Sequence, residues 1–142
     1  MKKILIYSLL IFTFLSCHQT KNMNVQSPNS VSLHHLSEAR DSKLTVFSSH
    51  FIMDVYGDIY RYDLDSAKWV ELNEILNKVS VKELADYSAP EVSGRLVERD
   101  LKSQISIQTP DGEFVSQEFL NENVPDELRE LYNFLNSFFP VL

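Results

Sequence analysis

Residues 51–79, FIMDVYGDIYRYDLDSAKWVELNEILNKV, contain in one run the two kinds of element from which the chain is built. Phe51 to Tyr56 and Ile59 to Leu64 are rich in aromatic and β-branched side chains, and Gly57-Asp58 between them supplies a turn. That pattern predicts a hairpin. The period of two places Phe51, Met53 and Val55 on one face, and Tyr60, Tyr62 and Leu64 on one face of the return strand. Asp65-Ser66 then offers a helix N-cap. Trp69, Leu72, Leu76 and Val79 recur at helical spacing with Ile75 beside them, while Lys68, Glu71, Asn73, Glu74, Asn77 and Lys78 fill the other face. An amphipathic helix of about three turns follows.

The same order recurs downstream. Ser80-Val81-Lys82-Glu83 has the form of a capping box and opens a short turn to Tyr87. Ser88 to Asp100 reads as a loop. From Leu101 apolar and polar residues alternate into Thr109-Pro110-Asp111-Gly112, in which proline presets one turn position and glycine takes positive φ. Glu113 to Leu120 returns as a strand. Pro125-Asp126-Glu127 suits a first helical turn, with negative charge at the positive end of the dipole. Leu128, Leu131, Leu135 and Phe138 continue it, and Pro140 stops it. The expected fold class is α+β: an antiparallel sheet of about four strands in two hairpins, with two helices on one face, in the order ββαββα. Trp69, Leu72, Leu76, Leu131, Leu135 and Phe138 are its expected core.

Upstream the texture differs. Lys2 and Lys3 precede an apolar run from Ile4 to Leu15, and Leu15-Ser16-Cys17 closes it with the single cysteine of the chain. The run of 12 residues is too short for a membrane span, which needs about 20. A charged start, a short apolar stretch and a small residue before the cut describe an export signal. The segment resembles bacterial lipoprotein signals, although Phe14 stands where leucine is usual. The resemblance implies cleavage after residue 16, diacylglycerol on the Cys17 sulfur and an acyl chain on its amine, more than stable anchoring requires. His18, standing where aspartate would retain such a protein at the inner membrane, implies the outer membrane. The absence of acid in Gln19-Thr20-Lys21-Asn22 implies its periplasmic face. The expected organisation is a signal peptide over 1–16, a flexible polar tether over 17–41 and one domain over 42–142.

Composition narrows the function classes. The 142 residues carry a net charge of −7, and losing Lys2 and Lys3 from the 13 basic residues leaves 11 against 20 acidic ones, or −9. Such a chain is repelled by nucleic acid and anionic headgroups. Three glycines are few for a phosphate-binding loop. With Cys17 at the anchor, no thiol remains for a disulfide, a thiolate nucleophile or a zinc ribbon.

Catalytic signals are weak. No Gly-x-Ser-x-Gly elbow exists. His18, His34 and His35 fall in the expected tether, leaving His50 as the only histidine on the expected fold, without a sequence partner. His34-His35 are adjacent and point apart, so they do not form a metal site. Asp54, Asp58, Asp63 and Asp65 crowd the first hairpin but lack the EF-hand spacing. No metal or cofactor is expected. The Ser88–Arg99 loop, with Pro90, Gly94, Arg95 and Arg99, is the expected partner-binding feature, since loops on a rigid scaffold carry function and arginine favours interfaces.

The stretches KWVELNEILNKVSVKELADY (68–87), RDLKSQISIQTPDGEFVSQEF (99–119) and VPDELRELYNFLNSF (124–138) together resemble the emfourin-type protease-inhibitor domain, and equally the small bacterial lipoproteins of that general pattern. The glycine pair near the first strand of such domains is represented here by Gly57 alone. The resemblance implies a non-catalytic protein-binding module, such as a peptidase inhibitor or an immunity-type protein. A small ligand-binding or hydrolytic lipoprotein and a structural envelope component are the alternatives.

Overall fold

The computed structural model describes residues 27–90 and 101–139. Its elements, in chain order, are β1 (Ser30–Ser37), β2 (Arg40–Val46), β3 (His50–Val55), β4 (Asp58–Asp63), α1 (Ser66–Leu76), β5 (Lys102–Thr109), β6 (Gly112–Val115), β7 (Phe119–Leu120) and α2 (Arg129–Asn136). Single turns of 3-10 helix at Val81–Glu83 and Asp126–Leu128 precede β5 and α2 respectively. The class is α+β, as expected, but the described residues form seven strands rather than four.

The two expected hairpins exist as β3–β4 and β5–β6, and every pairing is antiparallel. They are not adjacent. The order across the sheet is β4-β3-β2-β1-β5-β6, with β7 also pairing with β5. The hairpin that joins them, β1–β2, begins inside the stretch expected to be a tether, so the ββαββα order is corrected, and so is the tether expected over 17–41 from Ser30 onward; residues 17–26 lie outside the described residues. Residues 30–41 are sheet: Val31 and Leu33 are fully buried, and β1 sits at the middle of the sheet between β2 and β5.

The local chemistry explains each turn and cap. Tyr56 and Gly57 both take positive φ, 55° and 89°, as a two-residue hairpin turn between right-twisted strands requires. The Asp54 carboxylate secures that turn by accepting from the Gly57 amide at 2.8 Å. Asp65 caps α1 as expected, accepting from the Ala67 amide at 2.9 Å. Asp65→Ala should therefore lower the unfolding free energy by about 1 kcal/mol, read as a reduced urea midpoint at unchanged slope. Ser80 makes no side-chain cap, so the expected capping box is absent and only one tight turn forms there.

The sheet is sided. On the helix-facing side, two rows cross it: Val46–Val31–Ile107 and Met53–Leu44–Leu33–Ile105. They form one core with Leu72, Ile75 and Leu76 of α1 and with Leu131, Phe134 and Leu135 of α2. Trp69 and Phe138, expected inside, are half-buried at its margin. The other side is polar: Ser32 and Thr45 share a 3.0 Å hydrogen bond, and His34 Nε2 lies 2.9 Å from the Asp41 carboxylate.

Candidate functional site: a sealed polar row and an open strand edge

One row of the helix-facing side breaks the apolar pattern. Cross-strand partners Ser42, His35 and Ser103 follow the leucine row across β2, β1 and β5. They are 2%, 1% and 1% exposed. Alternation puts them there: His35 is two residues beyond Leu33 and shares its face. His35 Nδ1 lies 2.6 Å from Ser103 Oγ, and Nε2 lies 3.0 Å from the Asn136 Oδ1 on α2. Ser103 Oγ also donates to the Asn121 Oδ1. Phe139 lies over the imidazole at 4.7 Å, Tyr132 meets it edge-on at 6.1 Å, and the Arg40 guanidinium sits 5.9 Å from the centre of the Phe139 ring.

Serine, histidine and asparagine in hydrogen-bonded series have the connectivity of a nucleophile, a base and an orienting group. Two physical facts count against turnover here. Burial, with the Arg40 and His34 charges adding to it, lowers the His35 pKa to about 4, although the bond to Asn136 works the other way. A base that weak takes up little of a serine proton at neutral pH. Ser103 is also closed in: the recess that it lines with His34, Leu36, Lys102, Gln104 and Glu118 holds no more than about one water. The row acts as a polar lock between the central strands and α2. Tyr132 belongs to it: burial raises its phenol pKa, with the bond to Ser103 opposing. The Ser42 hydroxyl is the one buried side-chain polar atom among the described residues with no partner.

The residues expected to carry function fall elsewhere. Cys17, Arg95 and Arg99 lie outside the described residues. His50 stacks on Phe47 at 4.6 Å and bonds to its neighbour Ser49 at 3.1 Å, an arrangement that only orders a turn. Of the four hairpin aspartates, Asp54 and Asp65 hold backbone amides, and no group of three or more potential ligands gathers among the described residues. His34 and His35 point to opposite faces, as their adjacency dictates.

Sequence reasoning passed over β4. All six of its residues are exposed, and Ile59, Tyr60 and Tyr62 keep 71%, 47% and 46% of their surface. Among the described residues it pairs only with β3, which leaves one hydrogen-bonding edge without a partner strand there. Tyr62 stacks on Phe51 at 5.0 Å, and Phe51 meets Phe138 at 5.0 Å, so the exposed ring is braced against the core margin. The signal was present in the alternation of Ile59, Tyr60 and Tyr62, which marks a strand but not its place at the edge.

No helix among the described residues is long and apolar enough to cross a membrane. No protein-family model, no curated protein and no solved structure matches the chain.

Proposed function

We propose that this chain is a lipid-anchored, periplasm-facing envelope protein that works by protein–protein contact and not by catalysis. Cys17 would hold it to the outer membrane, and the domain would present its β4 edge to a partner. The observation that carries the reading is that edge: a fully exposed strand with two tyrosines, Tyr62 braced on Phe51, and backbone groups unpaired among the described residues, the feature that strand-adding partners use. Peptidase inhibition and toxin neutralisation are both work of this kind. The net charge of −7 argues against nucleic acid as the partner.

One specific observation favours a second reading, a small hydrolase: the Ser103–His35–Asn136 series. The two are separated by one set of measurements on the full chain in its native envelope. Cys17→Ser is expected to abolish lipid labelling and release the protein into the soluble fraction. A fluorophosphonate probe is expected to leave Ser103 unlabelled. Cross-linking to envelope proteins is expected to fall in the Tyr60→Ala/Tyr62→Ala double variant. Labelling lost in Ser103→Ala but present in the parent would establish the hydrolase and end the contact reading. Acylation surviving Cys17→Ser would end the anchor.

A further inference from the structure

We propose that the β4 edge pairs with β4 of a second copy of this chain, antiparallel, about a two-fold axis at Tyr62; the inference deepens the protein-contact reading by naming the occupant of the edge. The free edge has a defined phase. A two-residue turn makes Val55 and Asp58 a hydrogen-bonded pair, and alternation gives Met53–Tyr60 and Phe51–Tyr62 the same status. The 3.0 Å bond from the Leu64 amide to the Ser49 carbonyl keeps that phase. The N–H and C=O groups of Ile59, Arg61 and Asp63 therefore point outward.

An antiparallel pair has its two-fold perpendicular to the sheet, so both copies keep their helices on one side, and odd residues must meet odd ones. Centres at Tyr60, Arg61 and Tyr62 are the three that overlap the strand without running into the Tyr56-Gly57 turn or the Asp65 cap. A centre at Arg61 sets two guanidinium groups against each other, which is unfavourable. A centre at Tyr60 matches Ile59 with Arg61 and leaves the charges without partners. A centre at Tyr62 sets Arg61 opposite Asp63 twice, once on each side of the axis, and Tyr60 opposite Leu64. It also places the outward backbone groups of Arg61 and Asp63 against each other for four hydrogen bonds. Neither Arg61 nor Asp63 makes an ion pair with another described residue, so both are free to do so. The overlap is about five residues and small by the standard of stable dimers. Anchoring two copies on one membrane would raise their effective concentration and suit a weak contact of this kind.

The register is tested by cross-linking. In the full chain carrying Cys17→Ser no other thiol remains, so Tyr62→Cys and Tyr60→Cys each introduce one. Tyr62→Cys places two thiols across the axis and is expected to form a disulfide-linked dimer on mild oxidation, whereas Tyr60→Cys, facing Leu64, is expected to cross-link at least about tenfold more slowly. Sedimentation supplies a second readout. Arg61→Asp and Asp63→Arg are each expected to weaken self-association roughly thirty-fold, and the double swap to restore it to within about threefold. Faster linkage through Tyr60→Cys, equal linkage by both, or single swaps that the double does not rescue would overturn the inference. A chain that stays monomeric in sedimentation and whose Tyr62→Cys form does not cross-link, while Tyr60→Ala/Tyr62→Ala still loses an envelope protein, assigns the edge to another protein: this inference then falls and the contact reading stands. If envelope cross-links are also unchanged in that variant, both fall.

Discussion

Leu33→Ala is expected to remove about 2–5 kcal/mol of stability and to lower the melting temperature by about 10–20 °C. Leu33 is fully buried in β1 and lies between Leu44 and Ile105 in the row that also carries Met53. Truncating it opens a cavity that three strands and the helices above cannot close, because each neighbour is itself fixed in a ladder. The natural control is Leu36→Ala, three residues along the same strand. Leu36 is 43% exposed on the opposite side, so its loss should cost less than about 0.5 kcal/mol. Thermal melts of both variants decide the matter together. If residues 30–41 were a tether, neither change would shift the midpoint; a larger shift in Leu36→Ala than in Leu33→Ala would mean that β1 is placed on the wrong face.

That contrast shows why part of the fold was legible and part was not. The β3–β4 and β5–β6 hairpins announce themselves by dense aromatic and β-branched runs on either side of Gly57 and of Pro110-Asp111-Gly112. Asp65 and Pro125 mark their helices as plainly. The β1–β2 hairpin has the same period, Val31–Leu33–His35 answered by Ser42–Leu44–Val46, but serine, histidine and charged residues fill the gaps and the inward pair His35–Ser42 is polar on both strands. Polar inward residues erase the apolar alternation on which a strand is recognised. They are tolerated because they bond to each other and to Asn136, far away in the sequence. The candidate site was hidden for the same reason. His35 looked like a tether residue until the strand around it was placed, and no local pattern announces a partner 68 residues away in Ser103 or 101 away in Asn136. The edge position of β4 follows from sheet order, and sheet order turned on the unrecognised β1.

The same row makes stability depend on pH, and the sign can be worked out. The His35 pKa is about 4 in the folded chain, against 6.5 for an ordinary histidine, with burial the leading cause. Below pH 6.5 the unfolded chain takes a proton there that the folded chain refuses, so protonation favours unfolding. The stabilisation is fully present above pH 6.5 and is lost as pH falls toward 4. Two and a half units correspond to about 3 kcal/mol, of which about 2 kcal/mol is lost by pH 5. Carboxylates titrate mostly below that point, which leaves the interval from 6.5 to 5 as the clean window. The groups facing the imidazole support the sign: Arg40 and His34 bring positive charge, while Ser103, Asn121, Asn136 and Tyr132 are neutral there. The comparison is with His35→Gln, which cannot take up the proton. Denaturant unfolding at pH 7.5, 6.5, 5.5 and 5 should show the parent losing about 2 kcal/mol more than the variant across the window, even though the variant starts less stable for want of well-made bonds to Ser103 and Asn136. Parallel curves would mean that the imidazole accepts its proton in the folded chain, so that the row is open to water and the case for Ser103 as a nucleophile strengthens.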